Sequence, residues 1–181
     1  MNKENELTVA PIWKLLLQYS IPGIIAMLVM SLHAVVDRIF VANIPAVGTL
    51  AISAIGVTMP ISRIILAFSM LIGFGATASI SISMGRGNKK DAEEVLGNAL
   101  SVSLIVSVII TIIGLCFTER LLMILGASEA IMPYAKKYIV IILWGTVFSL
   151  TGFSMNSVGR ADGNPAFAAI AMAVGCVLNI I

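Results

Sequence analysis

VLGNALSVSLIVSVIITIIGLCF, residues 95–117, contains no Asp, Glu, Lys, Arg or His. At about 1.5 Å of rise per residue a helix of this length reaches ~35 Å, more than the ~30 Å hydrocarbon core that about 20 mostly apolar residues cross. The stretch reads as a membrane-crossing helix. Working outward, residues 15–41, 50–84 and 138–156 meet the same requirement. The run at 50–84 is longer than a straight crossing needs, which predicts tilt or a kink at Pro60, and Pro22 marks a kink or first turn in the first run. A fifth run, 165–181, opens on Pro165, a residue favoured in the first helical turn, and is still apolar at Ile181. It rises only about 25 Å, so the chain is expected to stop inside this helix.

Composition agrees with the runs. Of 181 residues, 59% are hydrophobic and 11% charged, with a mean hydropathy of +1.06, against about 25% charged residues in ordinary soluble domains. Eleven Lys and Arg against nine Asp and Glu give +2, too little for an electrostatic grip on nucleic-acid phosphates. A disordered chain, a nucleic-acid-binding domain and an ordinary soluble enzyme are excluded. The fold class is all-α integral membrane, a polytopic helix bundle whose first partner is the lipid bilayer.

Short polar connections separate the runs. GRGNKKDAEE at 85–94 holds Asp91 and Glu94, a spacing that predicts a capping box at the start of the third helix. Residues 118–137 form the longest connection, with a short amphipathic turn expected near Leu121 and Leu125. VGRADGN at 158–164 reads as a Gly-rich turn. With the N-terminus inside, the inner side holds Lys3, Lys14, Arg86, Lys89, Lys90 and Arg160 and the outer side Arg120, Lys136 and Lys137. Six against three favours a cytoplasmic segment at 1–14 followed by a transmembrane unit at 15–181. Charges at Lys3, Glu4 and Glu6, and the lack of an A-x-A-like site, argue against a cleaved signal peptide.

Helix–helix contacts in membranes favour small residues, lipid-facing surfaces large aliphatic ones. Spacings of three and four place Thr58, Ser62, Ser69, Gly73 and Thr77 on one stripe, and Ser103, Ser107, Thr111, Gly114 and Thr118 on another. Gly145, Ser149, Gly152 and Asn156 make a third, and Ala171, Gly175 and Asn179 a fourth. The stripes either pack or line a water-filled cavity. Asn156 and Asn179 stand out because a buried amide needs partners.

Ionisable residues inside a membrane are costly and therefore informative. Asp37 stands late in the first run, with His33 one turn earlier on the same face. Asp37 either exchanges a proton or coordinates a cation, or it is an interfacial carboxylate paired with Arg38. Arg63 either snorkels to the outer interface or closes a cavity mouth or pairs with Asp37. Met27, Met30, Phe148 and Met155 are candidates for an adaptable apolar cavity wall. Cys116 and Cys176 show no CxxC spacing and read as buried, inert thiols, with no metal site. Gly73, Gly75 and Ala78 fit G-x-G-x-x-A by chance, because no strand precedes them, and neither a Walker A nor an H-E-x-x-H motif is present. The chain does not read as an enzyme.

Ordered motifs carry a resemblance. VDRIFVA at 36–42 and AIGVTMP at 54–60 are similar to the first two helices of MATE multidrug transporters, in particular the MepA-like branch. GATASIS at 75–81 with MGRG at 84–87, GRADGNP at 159–165 and LNII at 178–181 resemble that family's following segments in the same order. The resemblance implies the first lobe of a twelve-helix transporter with two pseudo-symmetric six-helix lobes and cytoplasmic termini. The chain is then truncated within the fifth helix, and the missing C-terminal lobe of the same protein is a partner. It further implies a bacterial cytoplasmic membrane and export of organic cations or amphipathic drugs by exchange for Na⁺ or H⁺, with no cofactor beyond that coupling ion. Asp37 and Asn179 match two coupling positions of the family, and the expected acid four residues further on falls beyond Ile181. Arg38 departs from many members, which carry an uncharged residue there. A flippase for lipid-linked sugars, and a nontransporting fragment that acts by helix packing, are the alternatives.

Overall fold

A computed structural model describes residues 11–161. It holds four helices: α1 (Ile12–Ala42), α2 (Gly48–Gly85), α3 (Lys89–Ile124) and α4 (Met132–Ala161). The fifth apolar run, 165–181, lies outside the described residues. α2, α3 and residues Met132–Gly159 of α4 are each long and apolar enough to cross a membrane.

The helices outrun the apolar stretches that announce them, because hydropathy marks what meets hydrocarbon whereas caps decide where a helix ends. α3 starts at Lys89, with Asn88 as its N-cap accepting from the Asp91 amide at 3.3 Å. Asp91 thus sits inside the first turn and accepts from Asn88 Nδ2 rather than opening a box with Glu94. Gly87 and Gly126 adopt φ of +75° and +90° after α2 and α3. At each, the next amide reaches back five residues, Asn88 to the Ser83 carbonyl and Ala127 to the Leu122 carbonyl, both at 2.9 Å. This Schellman closure takes up carbonyls that a helix end otherwise leaves open. The long connection expected at 118–137 therefore shrinks to the few residues between α3 and α4, and the turn near Leu121 is the last turn of α3. Lys136 donates to Glu119 across it at 2.5 Å. α2 runs unbroken through Pro60.

α2, α3 and α4 pack extensively on one another, whereas among the described residues α1 meets chiefly α2, and less closely. The interior of the trio is small and hydroxyl-bearing. Thr58, Ser103, Ser107, Ser154 and Ser157 are buried, while Ile105, Ile112, Ile141 and Phe148 are exposed. Large side chains outside and small ones inside invert the soluble pattern and suit a lipid solvent. Close approach follows: a Cβ on Gly73 would stand 3.2 Å from Ser154 Cα, and one on Gly114 2.5 Å from Leu143 Cδ2. Where backbones come this near, hydroxyls bond across. Thr111 Oγ1 donates to the Leu143 carbonyl at 3.0 Å and Ser154 Oγ to the Ser69 carbonyl at 3.3 Å. One apolar cluster, including Leu122, Ile139 and Leu143, sits near the α3–α4 turn, and another, including Ile80, Ala99 and Val158, near the α2–α3 turn.

The α3 stripe is buried along its whole length. On α4 the stripe Gly145, Ser149, Gly152 and Asn156 is not the packed face: Ser149 and Gly152 are exposed. α4 instead buries Ala135, Ile139, Leu143, Thr146, Leu150 and Ser154. Both faces of α4 obey helical spacing, so period alone does not choose between them, and the residues of α2 and α3 opposite it do. Cys116 is exposed, on the outward side of α3, rather than buried. Cys176 lies outside the described residues.

Candidate functional site

The second half of α1 stands off from α2 enough to leave a cavity of about 610 Å³ between α1, α2 and the start of α4. Asp37 and Arg38 come from α1, Thr58, Ser62 and Arg63 from α2, and Tyr138 from α4, with Phe40, Ile55, Met59 and Leu66 among the apolar walls. The order follows from antiparallel pairing: α1 runs down to Ala42, a short turn reverses the chain, and α2 begins at Gly48. Residues near 37 on α1 thereby face the first half of α2. Gly48 makes the reversal possible, since a Cβ there would collide with the Ala42 carbonyl oxygen.

His33 Nε2 lies 3.4 Å from Asp37 Oδ2, one turn apart as their spacing predicts. His33 is mostly covered, and its buried Nδ1 has no hydrogen-bond partner among the described residues. Asp37 is half exposed toward the cavity. Among the described residues neither Arg38 nor Arg63 comes within ion-pair distance of Asp37. For Arg38 the reason is local: successive side chains on a helix point about 100° apart. Its guanidinium therefore leaves the carboxylate to His33.

Arg63 lies about 22 Å along α2 from Gly48 at ~1.5 Å per residue. That is near the middle of a 38-residue helix, where it is exposed. It lines the cavity that holds Asp37 without pairing to it.

The other expected residues are not brought to this place. Met155 is half buried near the α2–α3 turn, packed against the Ile80 and Val158 cluster. There it lines a separate cavity of about 460 Å³ with Met84, Lys89 and Glu93. Asn156, its neighbour, is half buried and has a bonding partner. Met30 lies on α1, and Asn179 lies outside the described residues. Met27 and Phe148 face outward. Tyr138 is a cavity residue that sequence reasoning misses. Its only signal is a hydroxyl at the edge of an apolar run, and the packing of α4 against α2 is what brings it to the cavity. Among the described residues no group of three His, Cys, Asp or Glu could hold a metal ion.

A helical bundle with an apolar exterior and a solute-sized, charged cavity between its spans is the architecture of a polytopic membrane transport protein. The MatE family model matches residues 22–181, and the chain belongs to this family of MATE transporters. It is 29% identical over 170 residues to the multidrug export protein MepA of Staphylococcus haemolyticus, covering 94% of this chain and 37% of that protein. It is 27% identical over 181 residues to the FAD transporter of Shewanella oneidensis, covering 100% of this chain and 39% of that protein. Among solved structures, the MATE multidrug transporter DinF-BH superposes with a TM-score of 0.85 at 36% identity, over 95% of this chain and 38% of that one. The chain thus spans under two fifths of the length of these relatives.

Proposed function

We propose that this chain forms the first lobe of a secondary active efflux transporter of the cytoplasmic membrane, exchanging amphipathic drugs or organic cations for Na⁺ or H⁺ by alternating access. The observation that carries the reading is Asp37, a cavity carboxylate that is met by His33 and, among the described residues, by neither neighbouring arginine. A coupling ion that binds there neutralises it and shifts the balance between two arrangements of α1 on α2. His33 positions the carboxylate, and Asn179 is the further coupling position. The N-terminus is cytoplasmic in this reading, and the site needs no cofactor beyond the coupling ion. The relatives MepA and DinF-BH support drug efflux.

The test uses the full-length protein that contains this chain, in proteoliposomes under an imposed Na⁺ or H⁺ gradient. A fluorescent cationic dye is accumulated by wild type, and Asp37→Asn abolishes accumulation while inserting into the membrane at wild-type level. Unchanged accumulation in the variant removes Asp37 from the mechanism. A flippase for lipid-linked sugars is the second reading. It is favoured by Arg38 and Arg63 lining the same cavity, as a pyrophosphate headgroup would need.

A further inference from the structure

A further cavity, of about 600 Å³, lies at the α3–α4 turn, walled by Leu115, Cys116, Phe117 and Arg120 of α3 and by Lys136 and Val140 of α4. The sequence sets its depth. Residues 95–118 and 138–159 contain no Asp, Glu, Lys, Arg or His, and as helices they run ~36 and ~33 Å, about the thickness of a hydrocarbon core. Charge resumes at Glu119 and Arg120 on α3 and at Lys137 and Lys136 on α4. Lys136 bonds to Glu119 across the turn, so the two charged collars stand at one level. That level is where headgroups meet hydrocarbon.

The walls are ordered along the helix axes. Arg120 stands one turn beyond Cys116, and Lys136 one turn beyond Val140, so cations crown the cavity and apolar groups lie beneath them. Below Cys116, the exposed Ile112, Ile109 and Ile105 continue the line at spacings of four and three. Protein beyond this chain is drawn to small-residue faces, such as the exposed Ser149 and Gly152 on α4, whereas a ridge of isoleucines suits lipid. Arg120, Lys136 and the adjacent Lys137 outnumber Glu119, which leaves the rim positive.

We propose that this cavity holds an anionic glycerophospholipid, its phosphate on Arg120 and Lys136 and an acyl chain along Cys116, Ile112 and Ile109. An arginine fork grips two phosphate oxygens, and a lysine adds a point charge. Glu119 does not oppose this, because its bond steadies Lys136 while the half-exposed ammonium keeps donors for a second acceptor. The inference needs membrane residence only and is independent of what the protein transports.

The full-length protein is placed in nanodiscs of phosphatidylglycerol and phosphatidylcholine in equal amounts with identical acyl chains. p-Benzoylphenylalanine in place of Phe117, an exposed wall of the cavity, captures the occupant on irradiation, and mass spectrometry identifies it. Phosphatidylglycerol is expected in about fivefold excess or more, the factor that one basic residue near an anionic headgroup is worth. Arg120→Gln with Lys136→Gln brings the ratio close to one, and Arg120→Lys with Lys136→Arg keeps most of it. Arg120→Gln alone leaves the ion pair intact and lowers the ratio in part, which serves if the double variant does not fold. Glu119→Gln breaks the same pair yet spares both cations, so it keeps or raises the excess. The photoreactive residue in place of Phe148, exposed on α4 ~18 Å from Lys136, is expected to show no excess. A ratio near one at position 117, an undiminished excess in the Gln variants of Arg120, or its loss in Glu119→Gln overturns the proposal. So does an equal excess at position 148, or capture of protein in place of lipid.

Discussion

α1 and the α2–α4 trio are built from similar residues and held by different amounts of contact. In the trio, glycine and hydroxyl stripes let the helices close until a methyl group at Gly73 would fit tightly against Ser154 and Ser157 and one at Gly114 would overlap the Leu143 side chain. The described side chains of α1 are mostly exposed, and among the described residues it packs on α2 less closely than the trio packs on itself. The acidic residue of the cavity sits on the loosely held member, and Arg63 and Tyr138 on the tightly held one. Elements that move in a working cycle are drawn from the less stable part of a structure, which predicts that α1 moves against a framework of the trio.

Substitutions in the full-length protein, followed by reversible unfolding in mixed detergent, can break or sharpen that contrast. Leu143→Ala empties a position that is 1% exposed, and is expected to cost about 2–5 kcal/mol. Gly114→Ala forces a methyl into the Leu143 side chain where that residue is already enclosed, for about 1–3 kcal/mol. Ser154→Ala removes the bond to the Ser69 carbonyl, a loss of about 0.6 kcal/mol by the usual worth of such bonds in membranes. Leu32→Ala on α1, 65% exposed, should stay within about 0.5 kcal/mol. A cost at Leu32 as large as that at Leu143 would mean that α1 is clamped, and would end the division into framework and moving part.

The membrane class and the approximate spans were legible because hydrophobic length is a local property. Residues 95–117 alone require a lipid solvent. Helix ends were less so: polar turns such as 118–124 stay helical once Gly126 closes them, and no hydropathy pattern reports that. The α3 stripe was readable since it has no competing face, while α4 offers two, and the choice lies with side chains on α2 and α3. In the cavity, His33 with Asp37 could be read from a four-residue spacing. That Arg63 joins them depends on how far α2 extends before it, and Tyr138 depends on the placement of a helix about a hundred residues away.

The interior of hydroxyls and glycines also sets how the trio answers to temperature. When soluble domains unfold, fresh apolar surface meets water and the heat capacity rises steeply. Here the bulky side chains already face outward in the folded state, and separating the helices within a bilayer would exchange protein neighbours for lipid chains. Little surface changes solvent. The heat-capacity increment should be small, and the free energy of unfolding close to linear in temperature, with no loss of stability on cooling.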